Sequence, residues 1–187
     1  YGICTFYPDG ADESRHFLQE YEKKLEKECK EKADANDEYV RLARASVESW
    51  VKEHRQIQVP DGLSDDLLTR TAGTFVSIHK MGQLRGCIGT IAATQDNIAK
   101  EIIQNAISAS THDPRFDPIT EDELKFLDIS VDVLGETEDI DSPDKLDVKK
   151  YGVIVSHGVK RGLLLPNLDG IDSVEEQIDI ARQKGGI

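Results

Sequence analysis

The chain has 187 residues, with 23 Lys and Arg against 36 Asp and Glu, a net charge of −13 at pH 7. That length predicts one domain, or one domain with an appendage, large enough to bury a core without disulfide help. The acidity argues against nucleic acid as a partner, because phosphate backbones need a basic footprint, and against docking on anionic lipid; no apolar run approaches the roughly 18 residues of a membrane span.

The chain opens on Tyr1-Gly-Ile-Cys-Thr-Phe-Tyr7, which reads as a strand arriving from elsewhere. Its only methionine is Met81, and its last residues follow a helix where a Gly C-cap normally turns the chain onward. We expect both ends to be severed from a larger protein. A short missing tag at each end is the plainer reading.

Residues 14–33 predict a surface helix. Phe17/Leu18, Tyr21, Leu25 and Cys29 recur every four residues as one narrow stripe. Glu20–Lys24, Glu26–Lys30 and Glu28–Lys32 are favourable i,i+4 pairs. Such a helix either joins or binds another domain, or lies solvated on its own domain. Asn36 is the expected N-cap of a stronger helix over 37–54, with Val40, Ala43, Val47, Trp50 and Val51 on its core face.

Pro60-Asp-Gly62 is a turn, and Ser64 caps a short helix through about Thr69. The period then changes to two. Thr74–His79 is a strand, Lys80-Met-Gly82 a turn, and Gln83–Ile91 the returning strand of a hairpin. Thr94 is the expected cap of a helix through about Ser110, which must end before Pro114. Phe126–Leu134 alternates as a strand with one wet face. A second hairpin spans Tyr151–Ser156 and Lys160–Leu165, and Ser173-x-x-Glu176 opens a last helix that closes at Gly185. Helices and antiparallel hairpins in this order predict an α+β fold, mainly antiparallel sheet flanked by helices.

The acidity is uneven. Residues 8–38 hold 11 acidic against 6 basic side chains, and residues 120–150 hold 11 against 4. The rest is close to neutral, and it contains the segment with the most chemistry, Gly82–Thr90.

Strand alternation there puts Leu84 and Ile88 toward the core and Arg85 and Cys87 together on the other face. Gly86 and Gly89 remove bulk beside them, and glycine inside a strand often marks a close backbone or ligand approach. A guanidinium near a thiol favours the thiolate. One reading is a reactive Cys87 with Arg85 holding an anion; the other is an inert cysteine and a structural ion pair. A cysteine nucleophile needs a base, for which His79 and His112 are candidates. Asp113 either orients His112 or begins an Asx-Pro turn, which we prefer. If Arg85, Arg115 and Arg161 converge, they form a cationic pocket for a small carboxylate or phosphate. Three separate surface salt bridges are the alternative.

The five histidines have no metal-ligand spacing, and no phosphate-binding glycine motif is present. Gly86 and Gly89 do precede a helix whose N-terminus attracts anions. Cys4, Cys29 and Cys87 are odd in number and widely spaced, so neither a disulfide framework nor a zinc site is expected. With no signal peptide, a reducing cytoplasm is the default.

Leu84-Arg-Gly-Cys-Ile-Gly89 resembles the hallmark hexapeptide of the AMMECR domain family. The order of flanking segments is similar too: Gly73–His79 before it, then Asp113-Pro-Arg-Phe116, Glu123-Leu and Ile129-Ser-Val131. Tyr151-Gly-Val-Ile-Val, Arg161–Pro166 and the closing Lys184-Gly-Gly-Ile187 resemble the prokaryotic branch. The resemblance covers roughly 37–187. Members usually run on past that last Gly-Ile into a further strand.

The resemblance implies an α+β fold of two subdomains, the larger built from both chain ends and the smaller from the middle, with a cleft between them. It implies that the hexapeptide is the functional centre. From the residues themselves, Cys87, Arg85 and His112 are the catalytic candidates and Arg85, Gly86, Gly89, Arg115 and Arg161 the ligand-binding candidates. The family has no settled activity. Prokaryotic members are associated with a Memo-like protein and a radical-SAM protein, and some are fused behind a domain similar to class III extradiol dioxygenases. Tyr1–Tyr7 resembles the last strand of that domain. On this reading residues 1–36 are its tail and a charged linker helix, and 37–187 are the AMMECR domain. No cofactor is expected in this chain, and an iron site would belong to the preceding domain. A small anionic ligand and the preceding domain in cis are the expected partners.

Overall fold

The structure is a computed structural model that describes residues 16–35, 37–168 and 170–187. The strand expected at Tyr1–Tyr7 and the N-cap expected at Asn36 lie outside the described residues. The chain forms two compact units, one ending at Leu134 and one beginning at Gly135.

In the first unit, α1 spans Phe17–Ala35 and α2 spans Glu38–Glu53. The N-cap of α2 is Asp37, whose carboxylate accepts the Val40 N–H at 3.0 Å. The α2 stripe is core as expected: Ala43 and Val47 are buried, and Val40, Trp50 and Val51 pack at its margin. A short helix α3 (Asp65–Thr69) follows. Its start is held from outside, because the Glu38 carboxylate accepts the Ser64 N–H at 3.0 Å.

Strands β1 (Thr74–Lys80), β2 (Gln83–Gly89) and β3 (Leu127–Val133) form an antiparallel sheet in the order β2-β1-β3. Val76 and Ile78 of β1 share the inner face with Ile129 and Val131 of β3. Helix α4 (Ile98–Thr111) packs on that face and against α2, where Ser46 Oγ donates to the Ile103 carbonyl. The outer face carries Ser77, His79, Asp128 and Ser130, so the wet face expected of β3 extends across the sheet.

The α1 helix starts at Phe17 and runs to Ala35, two residues past the predicted end at 33, and its ion pairs differ from those expected. Lys32 reaches Asp128 on β3 at 2.6 Å, and Lys125 reaches Glu26 at 3.6 Å. The C-terminal half of α1 is therefore held on the domain, while Leu18 and Tyr21 remain exposed.

In the second unit, β4 (Val153–His157) and β5 (Lys160–Leu164) form a hairpin on which α5 (Val174–Gly185) packs. Ser173 caps α5 through the Glu176 N–H, and Gly186 ends it in the left-handed region at φ 63°. Val153, Leu164 and Ala181 are its buried centre. The two units are thus consecutive in sequence. The expected division, with one subdomain from both chain ends and one from the middle, is not what the structure shows. The physical reason is that the sheet, α2 and α4 close their core before Leu134, and the second hairpin closes on α5.

Candidate functional site

The hairpin that carries the Leu84–Gly89 hexapeptide turns at Met81 and Gly82, with φ of 53° and 77°. Two left-handed residues are what a two-residue type I′ turn requires. Pairing runs in register from Lys80 opposite Gln83 until a bulge interrupts it. His79 faces Leu84 and Ile78 faces Gly86, so Arg85 has no partner on β1. The extra residue resets the alternation. Ile88 packs on the core as expected, but Leu84 turns to the outer face and is 38% exposed. The expectation of an inward Leu84 is corrected on this point, because simple alternation contains no bulge.

The bulge also sends Arg85 away from Cys87, to the loop after α4. Its Nε and Nη2 donate to the two Glu123 oxygens at 3.1 and 2.9 Å, and Nη1 donates to the Asp117 carbonyl at 2.7 Å. Lys80 Nζ reaches the same carboxylate at 2.8 Å. Glu123 also caps its own 3-10 turn, Glu121–Phe126, by accepting the Thr120 N–H at 3.1 Å. Burial opposes ionisation of Glu123, but hydrogen bonds from Arg85, Lys80 and Thr120 outweigh it and hold the carboxyl down at about 2. Arg85 thus holds a carboxylate of its own protein. Beside this group lies an open recess of about 410 Å³ lined by Lys80, Met81, Gln83, Leu84, Arg85 and Glu123.

Cys87 is half-buried, opposite Ser77 on β1. The Ser77 hydroxyl lies 3.2 Å from its sulfur. Among the described residues, no histidine or carboxylate side chain hydrogen-bonds to that sulfur. His79 lies two pairs along, opposite Leu84. His112 is the C-cap residue of α4, with Nδ1 3.3 Å from Thr111 Oγ1.

The guanidinium beside Cys87 is Arg115. The Cys87 N–H donates to Asp113 Oδ2 at 2.9 Å, and Arg115 Nη2 donates to the Cys87 carbonyl at 3.3 Å. Arg115 in turn grips Asp113 through Nε at 2.9 Å and Nη2 at 2.7 Å. Asp113 is 4% exposed and also accepts the Arg115 N–H, which is the Asx turn expected before Pro114. The Arg115 hydrogen bonds drive the Asp113 carboxyl far below the usual carboxylate range, against the effect of burial. The Arg115 guanidinium lies 5.4 Å from the centre of the Phe116 ring. Arg115 remains half exposed, and its Nη1 makes no hydrogen bond to the described residues.

The two glycines of the hexapeptide leave no room for a ligand on the side where a Cβ would stand. A Cβ on Gly86 would be 2.1 Å from the Ala109 carbonyl oxygen, and one on Gly89 would be 2.3 Å from the Phe75 ring. Their first use is close packing of β2 against α4 and of Gly89 beneath Phe75. The anion-attracting helix start is likewise occupied. Helix α4 begins at Ile98 under Asn97, not at Thr94. Thr94 is engaged by Glu101, a fully buried carboxylate that accepts from Thr94 N and Oγ1, Gln95 N and Thr90 Oγ1. Burial opposes ionisation of Glu101, and these donors reverse that effect, so its carboxyl titrates below the usual range.

Arg85 and Arg115 therefore flank the hexapeptide on different partners, Glu123 and Asp113. Arg161 belongs to the second unit, on β5. Beside it, Gly162 lies so close to Ala181 and Gly185 of α5 that no side chain fits. No group of three His, Cys, Asp or Glu residues among the described ones is arranged to hold a metal ion. Among the described residues no helix is long and apolar enough to cross a membrane. The Glu123 hub and the Asp113–Arg115 grip on the Cys87 peptide were missed from sequence. The capping pattern Thr120-x-x-Glu123 was the available signal for the first, and Asp113-x-Arg115 gave none for the second.

Residues 40–187 match the AMMECR1 family. The chain belongs to the AMMECR1 family. A Clostridium acetobutylicum protein is 46% identical over 188 residues, which is all of this chain but 40% of that relative. A Thermotoga maritima protein is 47% identical over 150 residues, 80% of this chain and 86% of its own length. The chain thus spans less than half of the one relative and most of the other. A solved structure of an uncharacterized Pyrococcus horikoshii protein has the same fold, with a TM-score of 0.74 and 32% identity over 80% of this chain and 78% of that one.

Proposed function

We propose that this AMMECR1 domain is a binding module that holds a small anion, a carboxylate or phosphate, at the outer edge of Arg115. One observation carries the reading. The Arg115 guanidinium is fixed by two bonds to buried Asp113 and lies against Phe116, yet half of the side chain is exposed and Nη1 makes no hydrogen bond to the described residues. A pre-oriented fork loses little rotamer freedom on binding and matches planar oxyanions. The hexapeptide is then a rigid support, with Gly86 seating β2 on α4 and Arg85 tying it to Glu123.

In longer relatives the module serves as the accessory to a further domain. The whole-chain match to a protein two and a half times as long supports this. A dioxygenase-like identity for that domain is supported by the resemblance of Tyr1–Tyr7, and any iron site would belong there.

A second reading has a specific observation behind it. Cys87 as nucleophile is favoured by the Ser77 hydroxyl at its sulfur and by the Arg115 guanidinium that donates to its carbonyl. In this version Arg115 takes the anion-holding role first given to Arg85. A base within reach of the sulfur is the part this reading lacks.

The test is a titration of isotope-labelled protein with inorganic phosphate and with acetate, followed by amide NMR. The binding reading predicts saturable shifts at Cys87, Ser77 and Arg115. Arg115→Lys keeps the charge and loses the fork, and should weaken binding about tenfold, or about 1.4 kcal/mol. Shifts spread over surface lysines, unchanged by Arg115→Lys, would reject the site.

A further inference from the structure

We propose that the N-terminal half of α1 is a docking face for a second domain of the same polypeptide, seated on Leu18 and Tyr21. The proposal rests on the accessory reading above and names the surface that reading requires.

Helix α1 lies outside the residues that match the family, which begin at 40. Its two halves differ. The C-terminal half is pinned by Lys32 to Asp128 and by Glu26 to Lys125, and Cys29 is half-buried there. In the N-terminal half, Leu18 is 70% exposed and Tyr21 is 54% exposed. A helix of mixed charge has no need of two adjacent large apolar side chains in water, and their spacing places them on one face.

The occupant follows from which relatives share the helix. The Clostridium acetobutylicum protein matches this chain along its whole length, α1 included, and 60% of it lies beyond the match. The Thermotoga maritima protein leaves a fifth of this chain unmatched and has little length beyond its own match. Helix α1 is thus shared with a relative that carries additional polypeptide. A tethered domain also suits so small a patch, because linkage supplies a high effective concentration and two apolar side chains then suffice. The partner surface is apolar at its centre. Its rim is of mixed charge, to meet Glu20, Glu22, Lys23 and Lys24 around the stripe.

The test uses the full-length Clostridium acetobutylicum protein, with Leu18→Asp and Tyr21→Asp introduced together at the aligned positions, beside the 187-residue chain. Hydrogen exchange of the first two turns of α1 should be about tenfold slower in the full-length protein than in the 187-residue chain, and the double substitution should abolish the difference. Equal exchange in both proteins would overturn the proposal. The 187-residue chain should be monomeric by light scattering; a dimer dispersed by the same substitutions would assign the stripe to a second copy and overturn it. Cleaving the full-length protein between its domains separates the two readings. Fragments that co-elute while α1 exchanges freely sink the docking face and leave the accessory reading standing. Fragments that separate at once, with α1 exchange rising to that of the 187-residue chain, are the result a tether-dependent contact predicts, and phosphate binding at Arg115 is read independently of either.

Discussion

Asp113 holds the peptide of Cys87 from outside the sheet: its carboxylate accepts the Cys87 N–H at 2.9 Å, and the arginine it grips donates to the Cys87 carbonyl. Among the described residues β2 is an edge strand, so these outward backbone groups have no neighbouring strand there. A carboxylate and a guanidinium two residues apart take its place, one accepting and one donating. An edge covered in this way is closed to pairing with another chain.

Asp113→Asn should therefore cost about 2–3 kcal/mol, because Arg115 loses its ionic partner and the buried amide group cannot satisfy the same donors. The exchange of the Cys87 amide should accelerate with it. Urea unfolding at pH 7 and amide exchange check the two parts. A variant as stable as the parent would mean that the grip is incidental.

The Glu123 hub sets an acid limit on stability. Its carboxyl titrates at about 2 in the folded protein against an ordinary value of 4.5. The folded value is depressed, so the contribution is complete above about pH 5 and is lost as the pH falls toward 2. The shift corresponds to something on the order of 3 kcal/mol. Glu123→Gln should lower stability at pH 7 by a similar amount and flatten its decline between pH 5 and 3. Denaturant midpoints across that range measure both.

Three glycines on one hairpin should differ sharply. Gly86→Ala and Gly89→Ala put a methyl group into the Ala109 carbonyl and the Phe75 ring, and should each cost about 3 kcal/mol or more. Gly82→Ala meets open space but forces an L-residue to a φ of 77°, and should cost about 1 kcal/mol. Thermal unfolding orders them. Equal effects at Gly86 and Gly82 would contradict the close packing of β2 on α4.

Glu101→Gln should loosen the loop over 91–97 before the rest of the domain. The carboxylate accepts four hydrogen bonds there, and an amide that must also donate leaves at least one donor unmet, at about 1–3 kcal/mol. Faster exchange at Thr94 and Gln95 with unchanged exchange in α2 is the expected pattern.

Much of the scaffold was legible in the sequence, because apolar periodicity follows from burial. Ala43 and Val47 on α2 and the alternation of Leu127, Ile129, Val131 and Val133 on β3 read directly as core faces. The site was legible only in its location. Alternation paired Arg85 with Cys87, and the single unpaired residue at the bulge reversed that. Nothing local announces a bulge when turn and strand residues are otherwise regular. Thr94 looked like a helix cap, and only the folded chain shows its hydroxyl drawn to a carboxylate seven residues on. Likewise Glu123 and Arg85 are 38 residues apart, and their pairing is a product of tertiary packing.

On the proposed reading, the hexapeptide supports anion binding at Arg115 without use of the Cys87 sulfur. The most direct measurement is phosphate affinity of the parent and of Cys87→Ser, read from amide shifts at Arg115. The account predicts saturable binding in both, within about threefold, or roughly 0.7 kcal/mol. No response at Arg115 in the parent, or a response lost with the sulfur, would contradict it.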